Sequence, residues 1–281
     1  MADHTHSMHD ALLRAPGLLP PGAVGVDVGM TLTKVARATA DGVALESRET
    51  VAAAGLVLIR GAARAGVTGA RLGALAGASG VVAVQEIEAG ARGAAALLGT
   101  EGRLGDGAFL LALMGTGTAF VAVRGESVSY MGGTPLGGGS FAGIARRIDT
   151  SLTYDAMIAA AERGDRRRVD AMISDVYPEG IGRVGPDLTA AHLARSLEGS
   201  LDDVLAGLLN LHGENIAQIA AGRANSAQLR RIVLAGGFVH HNGLLVESIA
   251  HMGGLFGMTV EVAPSPGFAG ALGAALAAAV R

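Results

Sequence analysis

The chain contains no cysteine. That removes disulfide frameworks, thiol nucleophiles and thiolate metal sites together. Aromatic residues are scarce, at 3%, and basic charge does not dominate, the net charge being −3. Nucleic acids need rings to stack on and a positive field to neutralise phosphates, so no nucleic-acid partner is expected. Long apolar runs are also missing: none approaches the roughly 18 to 20 residues that cross a bilayer. The opening MADHTHSMHD is polar and unlike a signal peptide. These absences predict a soluble cytoplasmic protein without a membrane partner.

What remains is a chain of 281 residues, 50% hydrophobic and 17% charged, long enough for two domains with cores of their own. Residues 1–20, with Pro16 and Pro20, read as a mobile N-terminal arm; its His4, His6 and His9 lack a carboxylate framework and read as solvated. From residue 21 the chemistry begins. The stretch Ala23 to Lys34, AVGVDVGMTLTK, is an apolar strand that delivers one carboxylate, Asp27, to a glycine turn. A turn with Gly29 and Thr31 lets backbone N–H groups and a hydroxyl approach an anion, and Lys34 can supply a cation. Two extended segments, Thr33 to Thr39 and Val43 to Thr50, follow around Ala40-Asp41-Gly42, a hairpin signal.

The same layout returns. Ala108 to Met114 is a buried strand, Gly115-Thr116-Gly117-Thr118 a second glycine and threonine turn, and alternating segments flank Gly125-Glu126. Such duplication suits two lobes clamping one nucleotide. A dinucleotide-binding unit would place a helix directly after the glycine turn, whereas strand-like alternation follows both turns here. Between the copies, Val51 to Val67 has helical spacing, Arg71 to Leu75 reads as a strand, and Gln85-Glu86-Ile87-Glu88 opens a small-residue helix. Acids two positions apart cannot face the same way, so one of Glu86 and Glu88 points into a cleft and the other caps or faces solvent.

Further on, Gly132 to Gly139 holds five glycines in eight residues, a loop whose backbone can come close to a ligand. Tyr154 to Val176 reads as helical with a solvated arginine cluster at Arg163, Arg166, Arg167 and Arg168. Asp187 is placed to cap another helix. Leu201 to Ala221 is a long amphipathic helix, Arg231 to Ala235 a strand ending in Gly236-Gly237, Thr259 to Ala263 a last strand and Gly267 to Val280 a closing helix. The adjacent His240 and His241 splay apart and do not read as a metal pair.

In order, DVGMTLTK at Asp27, QEIEA at Gln85, GTGT at Gly115, GGTPLGGG at Gly132, DLTA at Asp187, AGGF at Ala235 and GFAGALGA at Gly267 resemble the type II pantothenate kinases, members of the actin, hexokinase and Hsp70-like ATPase group. The resemblance implies an α/β fold of the actin-like (ribonuclease H-like) kind, duplicated and two-lobed, with lobes at 21–105 and 106–281. It implies ATP and Mg2+, a homodimer, and phosphorylation of the primary hydroxyl of pantothenate on the way to coenzyme A. Carried over by position, Asp27 organises magnesium through water, Thr31, Lys34, Gly115, Thr116 and Gly117 face the phosphates with Gly29, and Gly236 and Gly237 sit at the adenosine. Glu86 is the implied general base, and Gly132, Gly133 and Thr134 belong to the acceptor loop.

Three positions depart from the pattern. Met30 stands where the family usually has a second glycine, Ala119 where a serine follows the second turn, and Tyr130 where an arginine precedes the GGT loop. In the family the last two hold the acceptor's carboxylate, so their exchange implies a different small primary alcohol, with pantothenate kinase proper as the alternative. Arg124 or Arg146 could supply the missing cation from elsewhere. A non-catalytic nucleotide-binding regulator and an actin-like assembling protein are the other readings of this fold. The retained Asp27 and Glu86 argue against the first, and the compact length against the second.

Overall fold

A computed structural model describes residues 11–50, 58–182, 184–195 and 198–280. Two mixed sheets carry the chain. In the first, β1 (Ala11–Leu13), β2 (Ala23–Val28), β3 (Leu32–Thr39), β4 (Gly42–Glu49), β5 (Arg64–Thr68) and β6 (Val81–Ala83) run in the order β1-β4-β3-β2-β5-β6. The second uses β7 (Ala108–Met114), β8 (Thr118–Arg124), β9 (Ser127–Thr134), β12 (Arg231–Ala235) and β13 (Thr259–Val262) in the order β13-β12-β7-β8-β9. Setting β1 aside, the two orders are the same. Each copy is an antiparallel meander of three strands whose first member, β2 or β7, pairs in parallel with a fourth strand, itself parallel to a fifth. The duplication suggested by two glycine turns therefore extends to whole lobes.

Helix α1 (Glu86–Thr100) follows the first sheet and α6 (Ala269–Ala279) follows the second. They lie between the sheets: Leu97, Leu98, Leu272 and Ala275 share one core with Leu45 of β4 and Phe109, Leu111 and Val121 of the second sheet. Helices α2 (Gly138–Ile148), α3 (Tyr154–Arg163), α4 (Leu201–Ser226) and α5 (Gly243–Leu255) cover the other face of the second sheet around Phe141, Met157, Leu209 and Phe238. A smaller cluster of valines, Val24, Val26, Val35 and Val67, fills the outer face of the first sheet.

Small residues decide how closely these layers meet. A Cβ on Gly25 of β2 would stand 1.9 Å from the Ala271 carbonyl oxygen of α6, and one on Gly66 of β5 1.9 Å from that of Ala274. Between the helices, a Cβ on Gly93 would meet the Ala269 oxygen at 1.8 Å and one on Gly273 the Ala89 oxygen at 1.8 Å. Strand, helix and helix thus touch backbone to backbone at four glycines.

Local readings failed where composition imitated another element. Residues 51–57 of the expected helix lie outside the described residues, and its end, Arg64–Thr68, is strand β5. A parallel strand buried between neighbours is a short run of small apolar residues that periodicity cannot separate from a helix. The strand expected at Arg71 to Leu75 is instead a tight helical turn at Gly73–Gly77, with Gly73 at φ 48°. Asp187 caps no helix: β10 (Ala171–Met172) and β11 (Thr189–Ala191) form a small ribbon there, and Asp187 lies 3.2 Å from His251. The helix begun at Tyr154 stops at Arg163, where Gly164 turns extended and leaves no room for a side chain beside the Asp202 carbonyl. The arginine cluster there is solvated as expected at Arg163, Arg167 and Arg168, whereas Arg166 is half-buried and donates to Thr189 and the Asp187 carbonyl. Of the expected arm, residues 1–10 with their histidines lie outside the described residues, but Ala11–Leu13 pair with β4 and Leu19 is buried.

Gly25→Ala is expected to lower stability by at least about 1 to 3 kcal/mol, the usual cost of overpacking. Gly99→Ala, on the same α1 helix as Gly93 but with open space around its would-be Cβ, is expected to stabilise by about 0.5 to 1 kcal/mol. Denaturant unfolding of the two variants checks the contrast, and equal effects would contradict the packing argument.

Candidate active site

A cleft of about 1480 Å3 opens along the ends of the two sheets. It receives the turn after β2 with Gly29, Met30 and Thr31, and the equivalent turn after β7 with Gly115, Thr116 and Gly117. Asp27, Lys34, Glu86, Ala119, Tyr130, Gly133, Thr134, Gly236 and Gly237 line it as well. Gly132 does not. It forms a β-bulge with φ 99°, where Phe120 faces two residues of β9, and the Arg223 guanidinium lies beside it.

The charged end of the cleft follows from strand register. Asp27 and Lys34 are direct partners across the β2–β3 hairpin, so their side chains emerge on one face, with Nζ 4.0 Å from Oδ2. On either side of Asp27 the chain has glycine. A Cβ on Gly69 would stand 2.7 Å from Oδ1 and one on Gly270 2.7 Å from Oδ2, so the carboxylate sits in a slot that only bare backbone leaves open. Gly29 is held by its N–H to the Leu32 carbonyl, and the Thr50 hydroxyl donates to the Gly29 carbonyl.

Glu86 opens α1. Gln85 caps the helix by accepting the Glu88 N–H, which leaves Glu86 facing the cleft while Glu88 turns outward to Arg92 at 3.2 Å. The two acids separate as their spacing demands. Burial pushes the Glu86 carboxyl above its ordinary range, the nearby Asp27 charge adds to this, and Lys34 opposes it. A carboxylate so placed is a better proton acceptor than an ordinary one.

The second turn rests on the third glycine loop. Gly138 and Gly139 donate their N–H groups to the carbonyls of Gly115 and Thr116, and a Cβ on Gly137 would collide with Gly117 at 2.7 Å. Behind this loop stands His212, fully buried on α4. Its Nδ1 donates to the Leu208 carbonyl at 2.8 Å, leaving Nε2 of the neutral ring to accept from the Ser140 hydroxyl at 2.8 Å. Burial lowers the pKa of this imidazole, in keeping with a neutral ring. Ser140 in turn accepts the Gly137 N–H. The ring also meets Phe141 and Phe238 edge-on, and Phe238 directly follows the Gly236-Gly237 turn. One histidine therefore braces two of the glycine turns.

On the opposite wall the bulge at Gly132 sets Tyr130 across from Val121 and Gly133 across from Ala119. The Tyr130 hydroxyl lies 3.1 Å from where a Gly133 Cβ would be. The ring therefore runs along β9 over the space that Ala119 and Gly133 leave free.

Comparison with known proteins agrees with this geometry. The Fumble family profile matches residues 108–277. A type II pantothenate kinase of Oceanobacillus iheyensis is 31% identical over 199 residues, covering 70% of this chain and 74% of the relative. The chain belongs to the Fumble, or type II pantothenate kinase, family. It is an ATP-dependent kinase. The type II pantothenate kinase of Staphylococcus haemolyticus is 28% identical over 261 residues, covering 89% of this chain and 98% of its own. Among solved structures, the Clostridium difficile activator of 2-hydroxyisocaproyl-CoA dehydratase with bound ADPNP superposes with a TM-score of 0.62 at 16% identity, covering 91% and 93%. A ROK hexokinase from Thermus thermophilus does so with 0.56 at 14%, covering 92% and 98%. At such identities the likeness is one of fold, the actin-like ATPase fold expected from the motifs.

For a Fumble-family kinase, the wall formed by α2 and α3 is one that motif reading missed apart from Arg146. Ala142 and Arg146 face the cleft from one, Ile158 and Glu162 from the other, at helical spacings that signal only amphipathic helices. His240 and His241 also line it, and contrary to the expected splay their rings lie 4.0 Å apart, His241 sitting at φ 50°. Among the described residues no group of three His, Cys, Asp or Glu could hold a metal alone. A lone carboxylate in an open slot beside two anion-receptive turns suits magnesium, which keeps waters and takes substrate phosphates as ligands.

His212→Ala is expected to lower stability by about 2 to 4 kcal/mol, as for other large-to-small core changes. It should also weaken binding of a non-hydrolysable ATP analogue beyond what Leu209→Ala, a core change on the same helix, produces. Calorimetry on both variants separates bracing of the turns from bulk packing; equal affinities would show that His212 only fills space.

Proposed function

We propose that the chain is a magnesium-dependent, homodimeric cytoplasmic kinase that passes the γ-phosphoryl group of ATP to the primary hydroxyl of a small alcohol other than pantothenate. Residues 21–105 and 106–281 are the two lobes that hold the nucleotide between them. The carrying observation is Glu86, a carboxyl of raised pKa that shares one cleft with Asp27, Lys34 and both glycine turns.

Each residue has one task. Thr31, Thr116 and the Gly117 N–H receive the phosphate oxygens, with Lys34 as their fixed cation, while Gly29 and Gly115 shape the two turns by donating their own N–H groups to Leu32 and Gly117 within them. Asp27 would hold the magnesium ion through water, and when bound that ion neutralises charge on the phosphates. Gly236 and Gly237 let the adenosine come close to backbone; Gly236, at φ 106° and with Met114 oxygen 2.2 Å from a would-be Cβ, admits no side chain. Glu86 accepts the proton of the attacking hydroxyl, which the cleft walls hold in line.

Tyr130 and Ala119 support the altered acceptor. A charge-assisted arginine contact contributes about 1.5 to 3 kcal/mol. The Tyr130 ring offers an apolar face and one hydroxyl at that wall, which favours a neutral acceptor. Pantothenate itself, the substrate in the names of the curated relatives, is the second reading, and one observation favours it. Arg146 lines the cleft and could meet a carboxylate, whereas Arg124 is committed to the Ala227 carbonyl.

Glu86→Gln is expected to lower turnover by about 10² to 10⁴ while leaving binding of an ATP analogue in place. In the wild type the base must be ionised, so the rate falls as pH drops through its raised pKa. The acidic limb then lies above 4.5, the ordinary value, and removing the opposing charge with Lys34→Met moves it higher still. A limb at or below 4.5, or one indifferent to Lys34, would remove Glu86 from the role.

Acceptor assays decide between the readings. Neutral alcohols are expected to outperform pantothenate, and the Ala119→Ser, Tyr130→Arg double variant to gain at least about tenfold toward pantothenate, the equivalent of 1.4 kcal/mol. Efficient phosphorylation of pantothenate by the wild type, lost in Arg146→Met, would establish the second reading instead.

A further inference from the structure

A second cavity, about 340 Å3, adjoins the cleft and shares Ile87 and Tyr130 with it. One side is the N-cap Gln85 with Glu88 and Arg92 of α1, at the i, i+3, i+7 spacing that puts side chains on one helical face. The other is the β8–β9 hairpin, with Glu126 at its turn and Val128 and Tyr130 two positions apart on one face of β9. The groove therefore begins beside Glu86, the first residue of α1, and leads outward past the Tyr130 ring. Its polar lining carries two carboxylates and one guanidinium, and the guanidinium of Arg92 already lies 3.2 Å from Glu88. The remaining charge belongs to Glu126.

We propose that this groove holds the distal end of the acceptor alcohol and selects for an end group that donates hydrogen bonds and carries no negative charge, an amide, hydroxyl or ammonium. The inference rests on the kinase reading above and deepens it. An alcohol whose hydroxyl reaches Glu86 and whose chain passes the small Ala119 and Gly133 wall extends along β9 toward Val128 and Glu126. A carboxylate end would meet a net negative lining, whereas an ammonium would have Glu126 opposite and the Tyr130 face beside it. Gln85 and Glu88 add acceptors for an amide or hydroxyl. Glu126 is exposed, so its selectivity is modest and screened by salt.

The test is calorimetric binding to the full chain saturated with a non-hydrolysable ATP analogue. The probes are pantothenate, its primary amide, and the amine in which an aminomethyl group replaces the carboxylate. The wild type is expected to bind the amine and the amide about three- to tenfold more tightly than the carboxylate, with the gap narrowing in about 0.5 M salt. Glu126→Lys should reverse the order, and Glu88→Gln, which releases Arg92, should shift it the same way. If the wild type prefers the neutral probes and both groove variants leave that order unchanged with analogue binding intact, the groove assignment falls while the altered-acceptor reading stands. If pantothenate binds best and Arg92→Met abolishes the preference, Arg92 receives a carboxylate, and the proposal is overturned together with that reading. Failure of all three probes to bind would also overturn the assignment, and phosphoryl transfer to other alcohols would then decide the kinase reading alone.

Discussion

The structure depends on the approach of one helix. Helix α6 meets β2, β5 and α1 at distances where a single added methyl group would overlap a carbonyl oxygen, at Gly25, Gly66, Gly93 and Gly273. Packing of this kind gains its dispersion from backbone atoms and leaves few voids. It also places the chemistry. Gly270 at the start of α6 and Gly69 after β5 form the two walls around the Asp27 carboxylate. The same contact that closes the core therefore holds open the slot in which the Asp27 carboxylate stands. A larger residue at any of these points would push α6 outward and close or tilt the slot.

Much of this was legible in the residues and some was not, for physical reasons. The glycine turns, the strands before them and the hairpins after them were readable because alternation and turn chemistry are local. The separation of Glu86 from Glu88 followed from helix geometry alone. The identity of β5 was hidden, since RAGVT flanked by alanine-rich sequence carries no local mark of a central strand. The ribbon of β10 and β11 was hidden because it is set by the long-range fit of Arg166, Thr189 and Glu214 rather than by its own few residues. His212 was invisible in kind: a histidine in a long amphipathic helix gives no sign of which loop lies against it. Apart from Arg146, the α2 and α3 wall was equally silent, because residues facing a cleft and residues facing a core share one helical period.

The site thus has two ends built differently. At one end, Gly137, Gly138, Gly236 and the Asp27 slot are fixed by backbone contact, and His212 locks two turns to the centre of α4. At the other end the wall is made of side chains, Ala119 and Tyr130, displayed by a bulged hairpin.

Among the described residues, strand β9 is the outermost strand of its sheet and pairs with β8 alone. Its cleft-facing side chains support no layer beyond them, and Tyr130 is 59% exposed. Exchanging such a side chain disturbs neither the glycine seams nor the braced turns. The glycine seams and braced turns therefore stand under strong packing constraint, while the wall at Tyr130 sits on a margin where single substitutions cost little stability. Residues at this margin can therefore be exchanged one at a time while the seams that join α6 to β2, β5 and α1 stay closed.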